Sequence, residues 1–182
     1  MRMSDHKTPV MIFGAGFGTR MRDLTKATPK PLVKVAGKAL IDHALGLTGT
    51  RPCVVNTHYL ADQMQAHLSS KSQVTISHEF PDILETGGGL KHALPLLETD
   101  PVHTLNSDAI WSGPNPLDLL EAAWLPDQMD ALLLLQPVEA AVGYNGTGDF
   151  FIHDDGAVIR KREGQVAPYV FTGIQLLHPR LF

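Results

Sequence analysis

Cysteine is almost absent from this 182-residue chain: Cys53 is its only one, so no internal disulfide can form. Such sparing use of cysteine points to a reducing, cytoplasmic setting. Long apolar runs are missing too. The run Ala131–Leu135 is far too short to span a bilayer, and no leader-like segment precedes the first apolar stretch. Aromatic residues make up only 7% of the chain, no basic run is longer than the three residues Arg160–Arg162, and the formal net charge is −4 with pI ≈ 6.1. This balance argues against a nucleic-acid-binding or acidic-membrane surface. The nine histidines are scattered without metal-ligand spacing. Two common phosphate-binding fingerprints are also lacking. A dinucleotide loop needs G-x-G-x-x-G, but the glycines here are Gly14, Gly16 and Gly18, with Thr19 at the sixth position. Asn56 also stands where a ribose-binding acid would be expected. No G-x-x-x-x-G-K-[ST] run exists. A dinucleotide oxidoreductase and a P-loop enzyme are therefore both disfavoured.

What remains is an ordinary globular composition, 43% hydrophobic and 19% charged, in a chain long enough for one domain with a real core. Short apolar runs alternate with helical patterns. Strands are expected at Val10–Phe13, Cys53–Asn56, Val74–Ser77, Val102–Leu105 and Ala131–Gln136, with Cys53 in a strand core. Helices are expected at Ala39–Leu47, Leu60–Leu68, Gly89–Leu97 and Leu117–Trp124. This alternation predicts an α/β fold with a doubly wound, mostly parallel sheet. Its ligand loops would lie beyond the C-terminal ends of the strands. From Gly143 the pattern changes. Phe150–Ile152 and Ala157–Ile159 flank an Asp154-Asp155-Gly156 turn and read as a β-hairpin, and Tyr169–Leu177 reads as a further strand. The polar start, Met1–Lys7, is expected to fray.

The most informative stretch is the loop after the first strand, Gly14-Ala15-Gly16-Phe17-Gly18-Thr19-Arg20-Met21, followed by Thr28-Pro29-Lys30-Pro31-Leu32. Bare glycines let several backbone N–H groups approach phosphate oxygens. Arg20 adds a planar fork and Lys30 a mobile point charge. Asp108 ends the fourth strand, in Asn106-Ser107-Asp108, where a carboxylate suits Mg²⁺ or could cap the next turn. Leu84-Glu85-Thr86-Gly87-Gly88-Gly89 would admit a flat ligand close to the backbone, or could be a plain turn into a helix. His58 reads as a structural or ligand-edge histidine and His103 as strand packing.

The run from Phe13 to Met21, with Thr25 to Leu32, resembles the signature of the sugar-1-phosphate nucleotidyltransferases, L-A-A-G-x-G-T-R-M followed by T-x-x-x-P-K-P-L. Gly14 replaces the usual first Ala, and Asp23 stands where Pro is common. The resemblance implies a Rossmann-like nucleotidyltransferase fold, GT-A-like, in a single domain over 1–182. Residues of about 8–140 would bind nucleotide, and about 141–182 would form a small β-hairpin layer on the sugar side. It implies that an NTP and a sugar 1-phosphate react, with Mg²⁺, to an NDP-sugar and pyrophosphate. Arg20, Lys30 and Asp108 are then the catalytic set, with Asp108 on the metal. Gly14, Ala15, Gly16, Gly18, Thr19, Arg20, Gly87, Gly88 and Asn106 would bind nucleotide. Glu85, Gly143, Thr172 and Gly173 would face the sugar. The E-T-G-G-G run is most similar to the branch using UTP and N-acetylmuramic acid 1-phosphate, with GTP and mannose 1-phosphate as the rival pair. A nucleotide-sugar sensor without turnover is the second functional reading. The family's E-K-P run is replaced by Arg160-Lys161-Arg162-Glu163, which could also be a solvated hairpin strand. Relatives continue past this point with a second metal carboxylate. The resemblance therefore implies a C-terminally truncated chain, less stable than a complete relative.

Overall fold

Val10, Met11 and Ile12 are fully buried, as a continuous apolar run must be when helices cover both faces of its sheet. They form β1 (Val10–Phe13), the centre of the computed structural model, which describes residues 7–182; residues 1–6, and with them most of the expected frayed start, lie outside the described residues. A small hairpin, β2 (Lys34–Val35) with β3 (Lys38–Ala39), leads into α1 (Leu40–Thr48). Next come β4 (Cys53–Thr57), α2 (Ala61–Leu68), β5 (Val74–His78), α3 (Glu85–Leu97) and β6 (Val102–Asn106). Then follow α4 (Pro116–Ala123), β7 (Ala131–Pro137), β8 (Phe150–Ile152), β9 (Val158–Arg160) and β10 (Tyr169–Leu177).

The large sheet has the order β5-β4-β1-β6-β10-β8-β9, with β7 paired to the far side of β10. β5, β4, β1 and β6 are mutually parallel. β1 lies between β4 and β6, so the chain crosses from one side of β1 to the other, and a crevice opens at the C-terminal strand ends there. Alternation along the strands divides the core. Val10 and Ile12 join α1, α2 and α4 on one face through Ile41, Ala44, Leu45, Met64, Leu68, Leu117 and Leu120. Met11 and Val54 meet α3 on the other through Leu90, Ala93 and Leu97. Each such leucine or isoleucine contributes about 1.5–3 kcal/mol on burial. Cys53 is buried in β4, as expected, and burial pushes its thiol pKa up.

Ala131–Gln136 is a strand, but it does not extend the parallel set. β10 inserts between β6 and β7, antiparallel to both. An apolar run announces a strand, while its neighbours depend on a segment some forty residues later. The Asp154–Gly156 turn closes the expected hairpin, with the Asp155 side chain accepting from Ala157 N–H at 3.0 Å. The hairpin continues the main sheet through the Phe150–Tyr169 pair. The third helix starts at Glu85, four residues earlier than expected, so Gly87–Gly89 lie inside its first turns. No helix among the described residues is long and apolar enough to cross a membrane.

Candidate functional site

Four loops leave the C-terminal ends of the parallel strands and enclose a cavity of ≈ 270 Å³. The loop after β1 brings Gly14, Ala15, Gly16 and Arg20, and the segment beyond it brings Lys30 and Pro31. β4 contributes Asn56, and the β5–α3 connection contributes Glu79, Ile83, Glu85 and Thr86. β6 and its following turn contribute Asn106, Ser107 and Asp108. Eight sequence-predicted residues therefore share one cavity: Gly14, Ala15, Gly16, Arg20, Lys30, Glu85, Asn106 and Asp108.

The cations are placed by the backbone. Pro29 and Pro31 hold Lys30 in a one-turn 3₁₀ segment, where its ammonium forms an ion pair with Asp108. The two side chains are 24% and 36% exposed, so solvent screens the pair and it is worth no more than about 1 kcal/mol. It can exchange partners cheaply. Asp108 caps no helix; that role at α4 falls to Asn115, whose side chain accepts from Leu117 N–H. Arg20 is exposed at the cavity rim. Arg20, Arg22, Lys26, Lys30, Lys34 and Lys38 set six cations against one acid, Asp23, within this stretch. Of these, Arg20 and Lys30 line the cavity, beside the acidic residues Glu79, Glu85 and Asp108. The spacing of about four residues hides the excess from a search for uninterrupted basic runs.

Several expected ligand residues do other work. Gly14 lines the cavity, yet its N–H donates to Asn56 Oδ1 at 2.7 Å and is not free for a phosphate. Gly18 has φ 65°, and an added Cβ would lie 2.9 Å from Lys30 Cβ; its bareness seats the lysine stem. Thr19 is exposed off the cavity wall, and Gly87 and Gly88 lie on α3 beside the cavity without lining it. Thr172 donates its hydroxyl to Leu134 O at 2.8 Å within the sheet. Gly173, at φ 81°, leaves room for Asn106: an added Cβ would meet Asn106 Nδ2 at 2.5 Å. Gly143 sits in an exposed turn with open space around it. Thus Gly143, Thr172 and Gly173 do not line the cavity. Arg160, Lys161 and Arg162 lie on the exposed β9 hairpin, away from it.

Sequence reasoning missed the buried support beneath the cavity. Glu79 is 1% exposed. One of its oxygens accepts from Asn56 Nδ2 and the other from Leu84 N–H, both at 2.7 Å. Gly89 packs against this pair so closely that a Cβ would lie 2.6 Å from Glu79 Oε1. Ser107 donates to Phe13 O at 2.6 Å and ties the β1 and β6 ends together. A lone glutamate between His78 and Phe80 carries no local signal of this kind. His58 lies outside the cavity lining, its ring Nδ1 3.0 Å from Glu79 O and its ring T-shaped to that of Phe17.

A second polar cluster sits at the opposite ends of the strands. Buried Arg51 pairs with Asp118 at 2.5 Å and Glu121 at 3.0 Å, and His103 Nε2 contacts Glu121 at 3.0 Å. Burial lowers the His103 pKa against the pull of Glu121. Burial alone would raise the Glu121 carboxyl, but hydrogen bonds from Arg51 and His103 outweigh it and hold the pKa down. His103 is thus more than strand packing.

No group of three or more His, Cys, Asp or Glu side chains among the described residues could cage a metal ion. Asp108 alone fits the way Mg²⁺ joins a nucleotide site, by one or two carboxylates plus substrate phosphates.

Comparison with known proteins follows the same lines. Residues 9–148 match the family model described as Nucleotidyl transferase. The chain is 43% identical to N-acetylmuramate alpha-1-phosphate uridylyltransferase of Caulobacter vibrioides, over 98% of this chain and 78% of that protein. It is 36% identical to the protein of the same name from Neisseria meningitidis serogroup B, over 94% of this chain and 76% of the other. Among solved structures, a putative glucose-1-phosphate thymidylyltransferase from Bacillus anthracis superposes with TM-score 0.74 at 22% identity, covering 96% of this chain and 73% of that one.

Proposed function

We propose, from the premise that this chain belongs to the nucleotidyl transferase family, that it is the enzyme joining a nucleoside triphosphate to a sugar 1-phosphate, with UTP and N-acetylmuramic acid 1-phosphate as its pair. The carrying observation is the convergence of the bare Gly14–Gly16 loop, Arg20, Lys30 and Asp108 on one cavity at the switch point of the sheet. The substrate pair rests on the relatives of that name, 43% and 36% identical over nearly the whole chain.

In the reaction a sugar-phosphate oxygen attacks the α-phosphorus in line. A new O–P bond forms, the bond to the β-phosphate bridging oxygen breaks, and pyrophosphate leaves with that electron pair. The nucleophile is already anionic near neutral pH, since phosphate monoesters lose their second proton near pH ~6, so no base is needed. The barrier is repulsion between anions and their alignment. Arg20 and the amides after Gly14 suit the β- and γ-phosphates. Lys30, released from Asp108, suits the α-phosphate. Mg²⁺, held by Asp108 and the phosphates, would supply further charge neutralisation when bound. Glu85 and Asn106 are assigned to the sugar and nucleoside sides of the cavity. A cytoplasmic setting suits such soluble substrates.

The test is pyrophosphate release in Mg²⁺ from each common NTP paired with N-acetylmuramic acid 1-phosphate or mannose 1-phosphate. UTP with the muramic acid derivative should turn over fastest. A clear preference for GTP and mannose 1-phosphate would replace the substrate pair. No release with any pair, alongside tight binding of an NDP-sugar, would replace the enzyme by a sensor.

A further inference from the structure

The buried contacts under the cavity have a direction. Gly14 N–H can only donate, so the Asn56 side chain must turn its oxygen toward it, at 2.7 Å. That choice fixes the orientation of the Asn56 amide. Its NH₂ then faces Glu79 and must donate, again at 2.7 Å. From the other side Leu84 N–H, also a pure donor, reaches the second carboxylate oxygen at 2.7 Å. Both oxygens of Glu79 must therefore accept. A carboxylate does so at both oxygens, whereas a glutamine would turn its NH₂ toward one of the two donors.

This carboxylate is 1% exposed, and no lysine, arginine or histidine side chain forms an ion pair with it among the described residues. Burying an anion on neutral donors alone is expensive compared with an apolar filler. The position nevertheless links two distant parts of the chain. At one end is Gly14, where the phosphate-facing loop leaves β1. At the other is Leu84, directly before Glu85 and Thr86 on the cavity wall. Glu85 itself holds a left-handed φ of 59°, which costs about 1 kcal/mol or more in a residue with a side chain and needs its surroundings to impose it.

We infer that Glu79 is a positioning residue: through a one-way hydrogen-bond chain, Gly14 to Asn56 to Glu79 from Leu84, it sets the phosphate-facing loop and the Glu85–Thr86 wall at a fixed separation. The inference rests on the transferase reading for what the two walls bind, but not for the chain itself.

The logic permits a charge relocation. In Glu79→Gln the acceptor count falls short by one. In Asn56→Asp two carboxylates face each other with no donor between them. In the double variant Asn56→Asp/Glu79→Gln every contact is restored. The new carboxylate at position 56 accepts from Gly14 N–H and from the new amide at position 79, whose oxygen accepts from Leu84 N–H.

The experiment measures kcat and KM for the NTP, circular dichroism melting, and amide hydrogen exchange at Gly14 and Leu84 for all four proteins. At a temperature where each is folded, either single variant should lose roughly ten- to hundredfold in kcat/KM for the NTP, with faster exchange at both amides. The double variant should return to within about threefold of the unsubstituted protein. Unchanged kcat/KM in folded Glu79→Gln, or losses that simply multiply in the double variant, would overturn the inference. So would a lowered melting temperature with kcat/KM intact, since that marks a merely structural pair. Should Glu79→Gln fail to fold, the double variant carries the test: folded and active supports the chain, unfolded or inactive overturns it. Exchange at Gly14 and Leu84 needs no substrate, so a protein inert toward every NTP would sink the transferase reading while the hydrogen-bond chain is still judged.

Discussion

Gly89→Ala sets two opposing effects against each other inside α3. Alanine is the better helix former, by about 1 kcal/mol in a helix interior. Against this, the new Cβ would stand 2.6 Å from Glu79 Oε1 and 2.9 Å from Asn56 Nδ2. Ordinary contact begins near 3.4 Å, so one side must move by roughly 0.8 Å. The tip of a free glutamate could swing away at little cost. This one is anchored by Asn56 and Leu84 and has no solvent to enter. Parting Asn56 from Glu79 leaves a buried donor and a buried acceptor short of a partner, at about 2–4 kcal/mol together. The net is a destabilisation of about 1–3 kcal/mol. For a chain of this size that lowers the melting temperature by about 2–12 °C, at about 2–4 °C per kcal/mol. Gly87→Ala is the internal control. It lies on the same helix, is exposed, and its Cβ would find only Phe182 at 3.9 Å, so helix propensity should raise the melting temperature by about 2–4 °C. Thermal melts read by circular dichroism decide the matter. A Gly89→Ala protein melting at or above the unsubstituted chain would refute the argument from close packing.

Lys30→Met and Asp108→Asn should each lower kcat by about 10²–10³, the loss expected when one preorganised group facing developing charge is removed, while melting temperatures move little because their mutual pair is screened; near-normal turnover in either would remove these residues from the chemistry. Stability should also fall as pH drops. Burial keeps His103 neutral in the folded chain, below its ordinary value of 6.5, so the unfolded chain takes up the proton first, and this contribution is full above about pH 6.5 and lost as pH falls through the lower folded value. Arg51, Glu121 and Asp118 are the charged groups facing the ring. In His103→Gln, denaturant unfolding should show a smaller stability difference between pH ~7.5 and pH ~5.5 than in the unsubstituted chain; an equal difference would place the dependence elsewhere.

Much of the architecture could be read from the chain because it is written locally. Val10–Phe13, Cys53–Thr57 and Val102–Asn106 are short strands seeded by apolar residues, and their C-terminal ends with the loops that follow carry Gly14–Gly16, Asn56 and Asn106–Asp108. A strand's C-terminal end and a parallel sheet together suffice to gather these residues. The place of β10 was not legible, since pairing between β6 and β7 is settled by long-range competition rather than by its own alternation. Nor was Glu79, whose significance lies in donors supplied by Asn56 and Leu84. Thr172 and Gly173 illustrate the converse. Their residue types fit a ligand contact, yet a hydroxyl can equally satisfy a strand carbonyl, and a glycine can yield space to a neighbouring asparagine.

The pairing of Lys30 with Asp108 bears on how such a cavity chooses its guest. Cation and anion cancel there, so the empty cavity offers each charge only in trade for the other. A free orthophosphate that draws Lys30 away strands the carboxylate, and a bare divalent ion that takes Asp108 strands the ammonium. A metal-bound triphosphate would bring a replacement for both in a single exchange. Selection for the metal–nucleotide complex over the simpler ions of its surroundings would then draw on this paired exchange, within the wall spacing and beside the Arg20 cation that the rest of the cavity supplies.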